Sequence, residues 1–96
     1  MSRRPRWKFL LYVADNAQNS LHAIANLHTL CAEHLAGEHE IEVIDVLVHP
    51  ERALTDGIFM TPTLVKLGPL PVQKIVGTLS DVPAVLHAFG IESAAA

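Results

Sequence analysis

The stretch YVADNAQNSLHA, residues 12–23, carries the chain out of an apolar run and into a helical pattern. The reading of the fold turns on that corner. In one common α/β architecture the first strand–helix corner holds a Cys-x-x-Cys pair, because the helix N-terminus lowers the pKa of the leading thiol. Here the four-residue window is Asn16-Ala-Gln-Asn19. Asparagine has no redox chemistry, and its amide is suited to satisfying free N–H groups at a helix start. The corner therefore reads as a scaffold without the thiol reaction.

Working outward, residues 7–14 (WKFLLYVA) form a nearly continuous apolar run, the pattern of a buried central strand. Residues 19–35 place apolar groups at 21, 24, 27, 30, 31 and 35, which is helical spacing. Asn19 or Ser20 is the expected N-cap and Gly37 the expected stop. EIEVIDVL, 40–47, reads as a second strand, completing a βαβ unit with parallel strands. Pro50 suits the first turn of a short helix through Asp56, ended by Gly57. TPTLVKL, 61–67, and VQKIV, 72–76, read as a hairpin turning through Gly68-Pro-Leu-Pro71. Beyond Gly77, Ser80 is expected to cap a last helix whose Val82, Val85, Leu86 and Phe89 share one face. A strand over 82–90 would hold an interior proline and lack a polar side, so the helix is preferred. The order β-α-β-α-β-β-α is thioredoxin-like, with helices on a mixed sheet. The expected organisation is one domain over 7–91, a flexible basic leader at 1–6 and a flexible Ala-rich tail at 92–96.

Half of the 96 residues are hydrophobic and 18% are charged. So much apolar material in so small a chain points to self-association or partner binding. A net charge of −3 argues against a nucleic-acid footprint, the one basic cluster being the leader and its neighbour, Arg3, Arg4, Arg6 and Lys8. The run FLLYVA is too short for a secretory signal, and no run is long enough to span a membrane. A single cysteine, Cys31, excludes an internal disulfide and fits a reducing, cytoplasmic setting.

Nothing else in the chain assembles a catalytic site. Cys31 lies on the apolar side of the first helix, where a thiol behaves as a small hydrophobe. His28, Cys31 and His34 recur every three residues, but two such steps leave the histidines roughly 120° apart around a helix, so no metal is expected there. His22, His39, His49 and His87 have no local pairing. No phosphate-binding loop, nucleotide motif or Ser/His/Asp signature occurs, and no cofactor is expected. Asp45, inside an apolar strand, is either the strand's solvent-facing carboxylate, the commoner case, or a buried and perturbed one. Thr61-Pro62-Thr63 occupies the place where this fold keeps a cis-proline opposite the first corner.

Taken together, LYVADNAQNSLHA, VIDVLVHPERALTD and TPTLVKLGPLPVQKIVGTLSD, with Val85-Leu86, resemble the circadian clock KaiB family from about residue 7 to 90. The resemblance implies a non-enzymatic protein that binds KaiC, a ring-forming ATPase, and modulates its phosphorylation and ATPase cycle. It also implies homo-oligomers, dimeric or tetrameric, and a second half able to rearrange between a tetrameric ground state and a thioredoxin-like binding state. Lys66, Lys74, Gln73, Asn19 and His22, with the 61–72 segment, are the expected partner contacts. Asn16, Pro62, Pro71 and Gly77 are the expected structural positions. Several residues depart from the family pattern. Gln73-Lys74 keeps half of a basic pair, His22 and Ala25 replace basic character, and Ala84 and Ala88 favour the last helix. Glu40 and Glu42 reverse the charge of the second strand, which argues against a KaiA partnership. The alternatives are a KaiB-like sensor domain of a histidine kinase and, further off, a thiol oxidoreductase.

Overall fold

The computed structural model describes residues 6–14, 17–35 and 37–91. Its elements run β1 (Trp7–Val13), α1 (Gln18–His34), β2 (His39–Asp45), α2 (Pro50–Thr55), β3 (Thr63–Gly68), β4 (Gln73–Val76) and α3 (Val82–Ala88). The expected mixed α/β order is present, with boundaries displaced by a residue or two. Residues 1–5 of the expected leader, the tail 92–96 and Asn16 lie outside the described residues.

The four strands stand in the order β2-β1-β3-β4. β1 pairs parallel with β2, while β3 runs antiparallel to both β1 and β4. The central position of β1 explains its unbroken apolar run: a strand covered on both faces has no solvent side to mark with polar residues. β2 is an edge strand with only Ile44 buried, which is why its sequence alternates with Glu40 and Glu42.

The pleat sends alternate β1 side chains to opposite faces. Trp7, Phe9, Leu11 and Val13 join Ala23, Leu27, Leu30 and Cys31 of α1 and Val85, Leu86 and Phe89 at α3 in the larger core. Within it, the Trp7, Phe9 and Phe89 rings meet with centroids 5.2–6.2 Å apart, the spacing of favourable aromatic contacts. Leu10 and Tyr12 face the other way and meet Ile44, Ala53 and Val65. That second core is small because α2, at six residues, is only about 9 Å long.

Both expected caps are corrected. Ala17 is the N-cap of α1 and offers no side-chain bond, while Asn19 lies inside the first turn. Ser20 is buried and its Oγ instead accepts from the Ala14 N–H at 3.1 Å, tying the helix back to β1. At α3 the cap is Asp81, whose carboxylate accepts from the Ala84 N–H at 3.2 Å, not Ser80. α1 ends at His34, before Gly37, which serves the following turn with φ 75°. The Asp45 side chain is half-buried and accepts from the Leu47 N–H at 2.8 Å, so it closes the strand end as an Asx turn.

Candidate partner-binding surface

The corner is assembled by strand register. Tyr12 pairs with Thr63 across β1 and β3, which brings the 61–63 segment to the end of β1 from which the chain turns into α1. The Thr61–Pro62 bond is cis and Pro62 is buried. Its carbonyl accepts from the Gly77 N–H at 2.9 Å. Gly77 has φ 120°, a conformation that a side chain disfavours, which accounts for glycine there. The Asn26 amide donates to the Thr78 carbonyl at 2.7 Å, fastening α1 to the same loop. Asn19 and His22 stand one turn apart on α1, both exposed beside this corner.

The remaining expected contacts do not form one patch. Residues 61–72 span the whole of β3, so Thr61 and Leu70-Pro71 lie at opposite ends of that strand. Pro71 is exposed in the β3–β4 turn, and its bond to Leu70 is cis. Lys66 requires correction: it is 3% exposed, with its ammonium 5.6 Å from the centroid of the Trp7 ring. Desolvation holds its pKa below the ordinary lysine value, and the aromatic face supplies a cation–π contact in place of water. Gln73 pairs with Lys66 in the hairpin register and is half-buried, its Oε1 lacking a hydrogen-bond partner. Lys74 is exposed on the opposite face of the sheet, where its Nζ donates to the Asp56 carbonyl. The two lysines face opposite sides because their strand partners do: Lys74 pairs with Val65, the residue before Lys66.

A polar cluster on the α2 side has no counterpart among the sequence motifs. The Tyr12 hydroxyl donates to the Asp56 carboxylate. Burial, and then that hydrogen bond, push the phenol up to about 12. Arg52 donates to both Glu42 carboxylate oxygens, at 2.7 and 3.3 Å. That bond lowers the Glu42 pKa and raises that of Arg52, so half of the acidic character expected of β2 is already matched within the chain. The residues are 10 and 44 positions apart in sequence, too far for local spacing to reveal. Cys31 is fully buried, and desolvation pushes its thiol up to about 11. His28, one turn away, is exposed, so the pair faces different environments.

With this geometry in place, the comparison with known proteins is direct: a KaiB domain matches residues 10–91. The chain belongs to the KaiB family. The circadian clock oscillator protein KaiB of Synechococcus elongatus is 44% identical over 86 residues, covering 90% of this chain and 84% of that relative. Circadian clock protein KaiB3 of Synechocystis sp. is 43% identical over 81 residues, covering 84% and 79%. Among solved structures, the N-terminal domain of Synechococcus elongatus SasA superposes with a TM-score of 0.74 at 24% identity, covering 97% of this chain and 92% of that domain. Oxidised mitochondrial thioredoxin 3 of Saccharomyces cerevisiae gives 0.69 at 17% identity, with 88% and 76% covered. These likenesses establish the thioredoxin-like fold. No helix among the described residues is long and apolar enough to cross a membrane.

Proposed function

We propose that this KaiB-family chain is a non-enzymatic regulator that docks on a KaiC-like ring ATPase and alters its phosphorylation and ATPase cycle. The observation that supports this most is the fate of the thiol chemistry on a thioredoxin-like frame. The sole cysteine is fully buried with its pKa raised, whereas a redox nucleophile needs an exposed, acidified thiol. What this frame offers a partner is therefore shape and charge. Asn19 and His22 on α1, with the loop that carries Gly77, form the proposed contact near the corner. Lys74 and Gln73 contribute from β4. Lys66 acts through the packing of the hairpin rather than by touching the partner.

The test is capture of a KaiC-like ATPase ring by the purified chain in its ATP- and ADP-bound states. Wild type is expected to be retained in one nucleotide state, and Lys74→Glu to weaken retention. Absence of capture in both states overturns the proposal. An insulin-reduction assay is expected to give the uncatalysed rate, and turnover there would restore the oxidoreductase reading.

A further inference from the structure

Sulfur enters the chain at Met1, Cys31 and Met60. Cys31 is fully buried and its thiol is pushed up to about 11, so the thiolate that an oxidant attacks is both scarce and out of reach. Met60 is the opposite case. It is 62% exposed, and a thioether reacts with peroxide without first losing a proton, so access decides its fate. Its surroundings give that chemistry something to act on. The segment 58–61 leads from α2 to the cis Thr61–Pro62 bond, and the Met60 carbonyl accepts from the Thr63 hydroxyl at 2.6 Å, which ties this backbone to the start of β3. Met60 also lines a hollow of about 140 Å³ together with Thr63, Val76 and Lys74. In that hollow the Lys74 ammonium donates to the Asp56 carbonyl. An ammonium carries further N–H donors beyond the one so used, and the methionine sulfur is at best a weak acceptor for them.

We propose that Met60 is a peroxide-responsive modification site, whose sulfoxide holds the Lys74 ammonium in the hollow they share and so weakens partner docking. The step balances with hydrogen peroxide as the oxidant. A sulfur lone pair attacks one peroxide oxygen, the O–O bond breaks, an S–O bond forms and water leaves, so the thioether loses two electrons to the peroxide. The product replaces an apolar, adaptable side chain with a polar one. Its oxygen is a strong acceptor beside a cation, and the bond between them is charge-assisted. Lys74 keeps its bond to Asp56 and gains a second anchor, which leaves its charge less available to a docking surface. The effect on docking rests on the proposed role of Lys74 as a partner contact; the oxidation and the capture of the ammonium do not. Responsiveness to oxidant thereby returns to a frame whose thiol corner is inert, at a different residue and by different chemistry.

Peroxide treatment followed by peptide mass spectrometry reads the oxidation. Met60 is expected to take up one oxygen at a rate within about threefold of free methionine, while Cys31 stays unmodified. Acylation of the lysines with acetic anhydride reads the capture. Relative to the exposed Lys8, Lys74 of the oxidised chain is expected to react at least about threefold more slowly, the effect of a modest charge-assisted hydrogen bond. Met60→Leu, treated with peroxide in the same way and still carrying Met1, is expected to show no change. Retention on a KaiC-like ring is expected to fall by about threefold to tenfold on oxidation, to be unaffected in Met60→Leu and to return after treatment with methionine sulfoxide reductases. The lysine measurement needs no partner. A ring that retains neither form therefore counts against the proposed function, and Lys74 reactivity then decides the site by itself. A Met60 that resists peroxide overturns the inference, as does unchanged Lys74 reactivity in the oxidised chain. So does an equal effect in Met60→Leu, or full retention of the oxidised chain on a ring that retains the reduced one.

Discussion

Tyr12 and Lys66 are polar residues on the two central strands, and each resolves its burial differently. The Tyr12 ring is fully buried while its hydroxyl reaches the Asp56 carboxylate. Tyr12→Phe removes that donor and leaves the carboxylate one bond short, an expected loss of about 1–2 kcal/mol in urea unfolding. The native phenol is held near 12 against an ordinary 10. Between those values the folded chain keeps a proton that the unfolded chain has released, so Tyr12 contributes stability below pH 10 that is lost as pH rises toward 12. A phenolate absorbance titration is expected to show this late ionisation in native protein and an ordinary one in denaturant. Lys66 has the opposite sign. Its native pKa is lowered, so the unfolded chain binds its proton more tightly and the desolvation penalty is relieved as pH rises toward the ordinary lysine range. Lys66→Met is expected to leave stability unchanged or raise it by up to about 1 kcal/mol near neutrality, an advantage that shrinks at alkaline pH. Lys66→Glu places a carboxylate at the same site and is expected to cost at least about 2 kcal/mol.

Among the elements, α3 depends most on its ends. It has seven residues with Pro83 in its first turn, too short to persist without tertiary support. Its Asp81 cap and the packing of Val85, Leu86 and Phe89 under β1 supply that support. Asp81→Ala is expected to cost about 1 kcal/mol and, in hydrogen exchange, to lower protection in 82–89 before α1 or the sheet is affected. Nearby Leu79 holds φ 63° while 4% exposed, a backbone conformation costly for a leucine and offset by burial of its side chain. β2 presents the reverse case. Its exposed edge needs charge to discourage pairing with a stray strand, and Glu40 and Glu42 provide it.

At the scale of the whole molecule, Cys31 reports on the integrity of the fold. Its sulfur sits between α1 and the sheet with no exposed surface, and the thiolate that would react is disfavoured there. A thiol reagent is expected to label the native chain negligibly and to label one site per chain in denaturant, at a rate that tracks global opening. Leu27→Ala in the same core is expected to remove about 2–5 kcal/mol and to accelerate that labelling. Phe59 is 93% exposed and takes no part in this core, so Phe59→Asp is expected to leave the labelling rate unchanged.

Local apolar spacing, of two in strands and of three to four in helices, is enough to mark which segments become strands and which helices. A central β1, the helical choice for 82–89 and the inert character of Cys31 were all legible that way, as were the family motifs. The caps were not legible to the residue, since Asn19, Ser20 and Asp81 are equally competent acceptors and backbone geometry chooses among them. The tertiary structure alone decided that Lys66 is buried against Trp7 while Lys74 is exposed. It alone joined Tyr12 to Asp56 and Arg52 to Glu42, and left Phe59 in solvent. Each of these depends on how far α2 reaches across a sheet whose strands come from distant parts of the chain, and no local pattern encodes that distance.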